Sequence, residues 1–409
     1  MSSEESGGKS LLVVATLDTK GEHAAYVRDC VRSLGVNPIL MDVGILGEPL
    51  IPPDIAKEEV ASAAGYDLKG LIKSRDRAGC VRAIAEGAAI VANRLLEDGR
   101  IHGVFGMGGG TGTSIATRVM RSLPFGLPKV MVSTVASRDV REFVGTKDVV
   151  MFHSVADLLG MNEFVKLILG QACRAVCGMM QRGIELPKGK PMVAVSAYGA
   201  NSDCALHAQS FLEAKGYEMV AFHANGCGGM AMEEFVEQGL VVGVLDLTLH
   251  EIADEMFGGY SKGIGPMRLE AGGVPRVVAP GGLDNAAFTP SCPMPDLLKG
   301  RKVCYYDVRF CVRMGPQEMR AFARIVGEKL RKVKAPTYVL IPRRGWSEFD
   351  REGMEFFDPQ ADQVFVDELK KVLGDAVPVE EMDVHISDPA FARRAVEVLD
   401  EMIRSGGIR

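Results

Sequence analysis

The sequence predicts an α/β protein made of two similar open lobes with mostly parallel sheets. Short apolar segments with strand character alternate with amphipathic helical segments along the 409 residues. The pattern occurs twice: VEQGLVVGVLDLT from residue 236 parallels LEDGRIHGVFGMG from residue 96, and GVPRVVAPGG from residue 273 parallels GLPKVMVSTV from residue 126. We therefore predict an N-terminal lobe over residues 1–185 and a C-terminal lobe over residues 186–409, joined near the linker-like stretch GIELPKGKP.

Composition narrows the class of protein. A net charge of −6, 47% apolar residues and 24% charged residues are typical of a globular chain, and they do not favour nucleic acid or an anionic membrane as a partner. The polar N-terminus MSSEESGGKS does not resemble a signal peptide, and no apolar run reaches membrane-spanning length. The nine cysteines are scattered without a CxxC pair, which predicts free thiols and a cytoplasmic location.

The elements of the N-terminal lobe follow from apolar periodicity and glycine stops. Strands are predicted over residues 11–16, 36–43, 101–107 and 129–133. Residues 17–21 are expected to be a loop, and one short helix is expected between residues 44 and 74. Longer helices are predicted over residues 22–34, 76–97 and 162–182, and another begins in the glycine-rich turn after residue 107.

The C-terminal lobe repeats this order and then extends it. Strands are predicted over residues 192–197 and 218–222, with two more in the repeated segments that begin at residues 236 and 273. Helices are predicted over residues 203–214 and 317–331. Further strands are predicted over residues 302–307 and 337–341, and a terminal strand–helix pair ends near Arg404.

The glycine-rich turn is the strongest candidate for a binding site. Gly108, Gly109 and Gly110, with Thr111 and Thr113, lie between a buried strand and a helix, and Thr111, Thr113 and Ser114 are expected to cap that helix. Free backbone N–H groups at such a turn bind phosphate or carboxylate. The turn is not a Walker A loop, and Thr111 replaces the third glycine of a dinucleotide fingerprint. The alternative is a tight turn that binds nothing.

Because ligands in open α/β sheets lie beyond the carboxyl ends of the strands, the other strand-end loops supply further candidates. Lys20, with Thr19 beside it, is either a phosphate ligand or a solvated lysine, and Asp18 is either a Mg²⁺ ligand or a helix N-cap. Asp42 is a candidate for a ribose hydroxyl. Ser133 and Thr134 either donate to phosphate or base, or make ordinary strand-end hydrogen bonds.

The C-terminal lobe offers candidates for a second, anionic ligand. His223 follows a strand in a glycine-rich segment and is either a general acid/base or a structural histidine. The other substrate-binding candidates at these strand ends are Asn201, Ser202, Gly228, Gly229, Arg343, Arg344 and Gly345. The two arginines are alternatively a solvated charged turn. His250 and Asp254 have i, i+4 spacing, which is weak evidence for a metal site.

Several motifs together resemble a known family over nearly the whole chain. They are ATLDTKGEH (15–23), MGGGTGTS (107–114), LPKVMVSTVAS (127–137), GTKD (145–148), FHANGCGGMAMEE (222–234), GVLDLT (243–248) and RRGWSEFD with FFDP (343–359). Through these motifs the chain resembles a family that contains the ATP-binding N-terminal region of the tomato mosaic virus resistance protein and its bacterial relatives. The resemblance implies two Rossmann-like lobes, ATP and Mg²⁺ as ligands, and a homodimer. In plants and fungi a barrel domain follows this region, so a separate barrel-domain protein is an expected partner.

Three classes of function remain open at this point. The first is an ATP- and Mg²⁺-dependent enzyme that acts on a small anionic substrate, an acid, in a cleft between the lobes. The second is a non-catalytic nucleotide-binding module that regulates a partner. The third is a two-lobed small-molecule-binding protein. Turnover of Mg-ATP with candidate acids would distinguish the first class from the other two.

Overall fold

A computed structural model describes residues 8–73, 75–181, 189–265 and 268–406. The chain divides into two compact units, Met1–Glu185 and Leu186–Arg409. Both units are α/β with mostly parallel sheets, so the predicted fold class is confirmed. In the described part of the chain, every helix is too short or too polar to cross a bilayer.

The N-terminal unit is built on one five-stranded parallel sheet in the order β2-β1-β3-β4-β5. Its strands are β1 Ser10–Ala15, β2 Asn37–Asp42, β3 Val104–Gly108, β4 Lys129–Ser133 and β5 Val150–His153. Its helices are α1 Leu17–Ser33, α2 Lys57–Ala63, α3 Leu68–Lys73, α4 Arg77–Glu97, α5 Gly110–Ser122, α6 Arg141–Val144 and α7 Glu163–Gln181.

Helices cover both faces of this sheet, as the alternation of side chains along β1 shows. Leu12 and Val14 belong to a core on one face, together with apolar residues of α2, α4 and α5. Leu11 and Val13 belong to the core on the other face, together with residues of α1 and α7. All four side chains are fully or almost fully buried, which explains why β1 has a continuous apolar sequence.

Two predictions for this unit are corrected, and two of its elements were not predicted. Residues 17–21 are not a loop, because α1 begins at Leu17, with a local departure from helical geometry at Lys20. Two short helices, α2 and α3, lie between residues 44 and 74 instead of one. The sequence also did not predict α6 or β5; the side chains of β5 are partly or fully exposed, so that edge strand has no buried apolar run.

The C-terminal unit has a six-stranded parallel sheet in the order β14-β13-β9-β8-β6-β7 and a three-stranded antiparallel sheet in the order β10-β12-β11. Its strands are β6 Met192–Ala197, β7 Glu218–His223, β8 Gly243–Thr248, β9 Arg276–Gly281, β10 Asn285–Phe288, β11 Val303–Tyr305, β12 Phe310–Arg313, β13 Thr337–Pro342 and β14 Val379–Met382. Its helices are α8 Ser202–Ala214, α9 Cys227–Glu237, α10 His250–Phe257, α11 Pro316–Leu330, α12 Pro359–Leu373 and α13 Pro389–Ser405. The strand predicted over residues 302–307 therefore belongs to the small antiparallel sheet.

The strand registers of the two units match. Leu12 of β1 is paired with Val104 of β3, which is paired with Lys129 of β4. At the equivalent positions, Ala194 of β6 is paired with Val244 of β8, which is paired with Arg276 of β9. The glycines that end the preceding helices have nearly the same left-handed φ, 67° at residue 99 and 66° at residue 239. The repeat in the sequence is therefore a repeat in the structure.

Candidate functional site

The strand order of the N-terminal unit creates a crevice at the carboxyl ends of β1 and β3. From β1 the chain first passes to β2 on one side, and it later returns to β3 on the other side. This reversal is the point at which open parallel sheets bind ligands. The glycine-rich turn follows β3 at this point, so the predicted binding turn and the crevice coincide.

The first turn of α5 has backbone N–H groups that no side chain caps. Gly109 is the N-cap, in an extended conformation, and it offers no side-chain acceptor to the N–H groups of the first turn. A Cβ at Gly110 would meet no atom within 4 Å, and one at Gly109 would lie 3.7 Å from Thr134 Oγ1. At Gly108, by contrast, a Cβ would lie 2.9 Å from Gly112 Cα. Gly108 therefore allows β3 and α5 to pack closely, while Gly109 and Gly110 leave open space beside the start of α5.

A cavity of about 200 Å³ brings most of the predicted N-terminal residues together. The predicted residues on its wall are Asp18, Thr19, Lys20, Gly109, Gly110 and Thr111. The wall also includes residues that were not predicted: Thr16, Ile45, Leu46, Arg77 and Gly112. Thr16 directly follows β1, so the strand-end rule could have found it. Arg77 is an exposed first residue of α4, and no motif in the sequence marks it.

Asp18 is held by the loop that follows β2. Its Oδ2 accepts hydrogen bonds from Leu46 N at 2.7 Å and Gly47 N at 3.1 Å. Its Oδ1 is buried and has no hydrogen-bond partner among the residues that the structure describes. The alternative prediction, an N-cap for the following helix, is wrong because Asp18 lies inside the first turn of α1. One carboxylate oxygen therefore remains for a cation, which matches the preference of Mg²⁺ for carboxylate ligands.

Other predicted ligands make contacts within the protein. Lys20 lines the cavity, but its Nζ donates to Leu158 O at 2.6 Å. Asp42 accepts from Leu17 N at 3.0 Å and Gly44 N at 2.8 Å, and burial raises the pKa of its carboxyl group. Asp42 therefore anchors the start of α1 and is too buried to reach a ribose.

Two predicted hydroxyl ligands bond to each other. The Oγ1 atom of Thr113 lies 2.7 Å from the Oγ of Ser133, and both residues are fully buried. Neither lines the cavity, so the structure corrects their predicted roles as phosphate donors. Thr111, Thr113 and Ser114 lie inside α5 and do not cap it. Thr134 is half-buried, and its hydroxyl is the atom nearest to a Cβ built at Gly109.

The equivalent crevice of the C-terminal unit is filled. The residue directly after β6 is Tyr198, and the first residue of α10, after β8, is His250; their rings are stacked at this point. A pocket of about 40 Å³ lies beside these rings, and His223 also lines it. The other lining residues are Gly199, Ala200, Tyr306, Arg309 and Cys311. His223 is exposed at the end of β7, with its ring centroid 6.4 Å from that of Tyr198.

Of the other predicted substrate ligands of the C-terminal unit, Gly228 packs against the backbone of His223, where an added Cβ would lie 1.9 Å from His223 O. Asn201 is buried and donates to Leu247 O at 3.3 Å, while Ser202 Oγ donates to Gly199 O at 3.1 Å. The N–H of Gly228 is bonded to Asn225 Oδ1 at 3.0 Å, and that of Gly229 to Glu251 Oε1 at 3.1 Å. The glycine-rich start of α9 is thus occupied by the protein's own acceptors.

The two arginines of the predicted turn, Arg343 and Arg344, also have acidic partners within the protein. Arg344 makes two hydrogen bonds to Asp383, at 2.9 and 2.8 Å, and Arg343 Nε lies 3.6 Å from Glu381 Oε2. Gly345 has φ +113°, and a Cβ there would overlap a backbone oxygen, so its role is in the turn.

His250 and Asp254 interact with each other, their Nε2 and Oδ2 atoms being 3.3 Å apart. Burial lowers the pKa of His250, but the contacts with Asp254 and Gly282 outweigh it and raise that pKa. Among the described residues, no group of three His, Cys, Asp or Glu side chains is placed to hold a metal ion.

The comparisons with known proteins identify a family across both units. Residues 9–185 match the model described as "Uncharacterised protein family (UPF0261) N-terminal domain", and residues 190–403 match that of its C-terminal domain. A UPF0261 protein of Clostridium tetani is 38% identical over 401 residues, covering 97% of this chain and 99% of that protein. A UPF0261 protein of Rhizobium meliloti is 37% identical over 393 residues, covering 95% of this chain and 98% of that protein.

A plant relative is longer. The ToMV resistance protein Tm-1(GCR237) of Solanum lycopersicum is 31% identical over 428 residues, which cover 97% of this chain and 56% of that protein. A solved UDP-GlcNAc 2-epimerase of Methanocaldococcus jannaschii has 9% identity and a TM-score of 0.24, with 96% of this chain and 92% of that one covered. A TM-score this low says nothing about the function of this chain.

Proposed function

The chain belongs to the UPF0261 family, and we propose that it is an ATP-binding protein whose N-terminal unit holds the nucleotide phosphates at the first turn of α5. The observation that carries the proposal is the uncapped helix start at Gly109, which lies on the wall of a cavity at the switch point of the sheet. Backbone N–H groups and the helix dipole at such a start attract phosphate oxygens.

The cavity walls suit a nucleotide in both charge and polarity. Lys20 and Arg77 add positive charge beside the glycine turn, and a guanidinium donates to phosphate in two directions at once. Ile45 and Leu46 supply apolar surface at the same cavity, and Leu46 is 65% exposed. A volume of about 200 Å³ fits the phosphate chain, so the base extends over Ile45 and Leu46.

Mg²⁺ is part of the proposal, and Asp18 is the residue that would hold it. The ion is typically bound by one or two carboxylates together with the substrate phosphates. Asp18 is on the cavity wall, and its Oδ1 is buried without a hydrogen-bond partner among the described residues. Both observations support this assignment. A bound Mg²⁺ would neutralise charge on the phosphates.

The second part of the proposal is a reaction. We propose that ATP is consumed in a reaction of a small acid, with His223 as the proton-transfer group because it is an exposed histidine at the carboxyl edge of the second parallel sheet. The alternative, a regulatory module that binds ATP without turnover, predicts nucleotide binding and no product with any acid. The antiviral role in the name of the tomato relative is not part of the proposal.

Assembly and location are proposed from the family resemblance. A homodimer in the cytoplasm, with a separate barrel-domain protein as a partner, is consistent with that resemblance. Light scattering tests the dimer: a species near 44.0 kDa alone at micromolar concentration would contradict it.

Calorimetry with Mg-ATP tests the nucleotide site. Gly110→Val fills the open space at the start of α5, so we expect affinity to fall at least about tenfold while the fold is retained. Gly178→Val is the matched control, because Gly178 is an exposed helical glycine with open space around its Cβ position and lies far along α7. Arg77→Gln is expected to weaken binding about fivefold. Equal affinity of Gly110→Val and the parent protein would remove the glycine turn from the site.

A further inference from the structure

A second cavity, of about 490 Å³, lies in the C-terminal unit where two neighbouring strands of the parallel sheet end. β13 ends at Pro342 and β14 at Met382, and the loops that follow them form the walls. The cavity is lined by Arg344, Arg351, Glu352, Phe357, His385, Ser387 and Asp388. Its position obeys the strand-end rule, and its volume is that of a typical small-molecule site.

The wall that carries Arg351 is held rigidly. Trp346 is buried, with its backbone N–H bonded to Asp350 Oδ2 at 3.0 Å and its indole N–H to Pro342 O at 2.9 Å. Ser347 Oγ donates to the buried Asp284 Oδ2 at 2.7 Å. Because these contacts fix the loop before Arg351, the cavity is preorganised for a ligand.

His385 forms the floor between the two loops and is neutral. Its Nδ1 accepts from Ser387 N at 3.1 Å, so its Nε2 carries the proton and donates to Ser347 O at 3.0 Å. Burial lowers the pKa of His385, and the nearby Arg351 lowers it further. Arg351 Nη2 lies 3.4 Å from His385 Nδ1, which places the guanidinium at the cavity while most of its donors remain for a ligand.

The lining has two cations and two anions. Arg344 is partly neutralised by its two bonds to Asp383, whereas Arg351 is exposed. Glu352 and Asp388 carry negative charge on the same walls. Two carboxylates oppose a polyanion such as a nucleotide phosphate chain, so this cavity differs in chemistry from the cavity beside the glycine turn.

We infer that this cavity binds a small zwitterionic acid of the amino-acid class. Its carboxylate lies on the guanidiniums of Arg344 and Arg351, its ammonium faces Glu352 and Asp388, and its apolar part contacts the half-buried Phe357. The inference goes beyond the proposed function, because this cavity lies at the β13–β14 edge of the six-stranded sheet, whereas His223 ends β7 at the opposite edge; the two are separate sites.

The test measures binding in the absence of nucleotide. L-Phenylalanine, 3-phenylpropionate, phenethylamine and inorganic phosphate are titrated separately and followed by ligand-observed NMR. L-Phenylalanine is expected to bind at least about tenfold more tightly than the two analogues that lack one charged group, and phosphate is expected not to compete. The result that would overturn the inference is phosphate competing for the site, or no binding of any of these compounds.

Two variants locate the site. Arg351→Gln is expected to weaken L-phenylalanine about tenfold, and Glu352→Gln to weaken L-phenylalanine but not 3-phenylpropionate. Both side chains are exposed, so the fold should be unaffected. Arg320→Gln is the control, because Arg320 is exposed on α11, 3.9 Å from Glu368. Unchanged binding in Arg351→Gln would overturn the assignment. Mg-ATP affinity is measured on the same samples. A failure of the amino-acid site is therefore distinguished from a failure of the proposed nucleotide site.

Discussion

The rings of Tyr198 and His250 stack with their centroids 3.9 Å apart and their planes inclined by 16°. In the repeat, Tyr198 takes the place of Thr16, directly after the first strand, and His250 takes the place of Gly110, at the start of the helix after the third strand. Two rings thus fill the crevice that a threonine and a glycine leave open in the N-terminal unit. The duplicated units therefore differ at the position where such folds bind ligands.

Removing one ring of this stack should destabilise the C-terminal unit. Tyr198→Ala is expected to lower the free energy of unfolding by about 2–4 kcal/mol, because it loses both buried area and the ring–ring contact. Tyr198→Phe keeps the ring and is expected to cost less than about 1 kcal/mol. Urea unfolding of the three proteins checks this, and an alanine variant as stable as the parent would show that the stack contributes no stability.

A carboxylate placed at the start of α5 should stabilise the helix and block the ligand. In Gly109→Asp the new side chain accepts from the first-turn N–H groups that we assign to phosphate, and its charge complements the helix dipole. We expect the free energy of unfolding to rise by about 0.5 kcal/mol and Mg-ATP binding to be lost. Calorimetry and thermal unfolding measure the two effects; retained affinity together with raised stability would place the phosphates elsewhere.

Stability should fall with rising pH because of Asp350. Burial and the nearby carboxylates of Asp362 and Asp284 raise the pKa of Asp350 to about 9 in the folded protein. The unfolded value is about 3.9, so this stabilisation is complete below about pH 4 and is lost as pH rises through 9. Asp350→Asn keeps an acceptor for Trp346 N–H and cannot ionise. We expect the stability difference, variant minus parent, to grow between pH 5 and pH 9; parallel curves from chemical denaturation would contradict this.

The buried cation on β9 should not tolerate a change from arginine to lysine. Arg276 is paired with Glu233 through two bonds, of 2.5 and 2.8 Å, and Nη1 also contacts Asp246 at 3.2 Å. A lysine cannot satisfy both carboxylates, so Arg276→Lys should cost about 3 kcal/mol of unfolding free energy. Arg394→Lys is the control, because Arg394 has a similar two-point contact with Glu380 in a partly exposed position and should cost under about 1 kcal/mol. Similar losses for both variants would show that burial is not the cause.

The sequence by itself determined the secondary structure of the buried strands and their repetition. The bounds of β4 and β6 agree with prediction, because short apolar runs between glycine and proline residues have few alternatives to a buried strand. The sequence also indicated the uncapped glycine turn, where Gly109 and Gly110 leave open space, since free N–H groups at a helix start follow from backbone geometry; ligand binding there stays a prediction. The edge strand β5 was missed, because partly exposed side chains give no such pattern.

Only the tertiary structure decided which polar groups remain available to a ligand. Thr113 bonds to Ser133, Lys20 to Leu158 and Gly229 to Glu251, and the members of these pairs are 20, 138 and 22 residues apart in the chain. Local sequence shows that a hydroxyl, an ammonium or an N–H is present, but it does not show what another segment brings beside it. Most buried polar groups in folded proteins are hydrogen-bonded, and in this protein the packing of distant elements decides which groups have an internal partner.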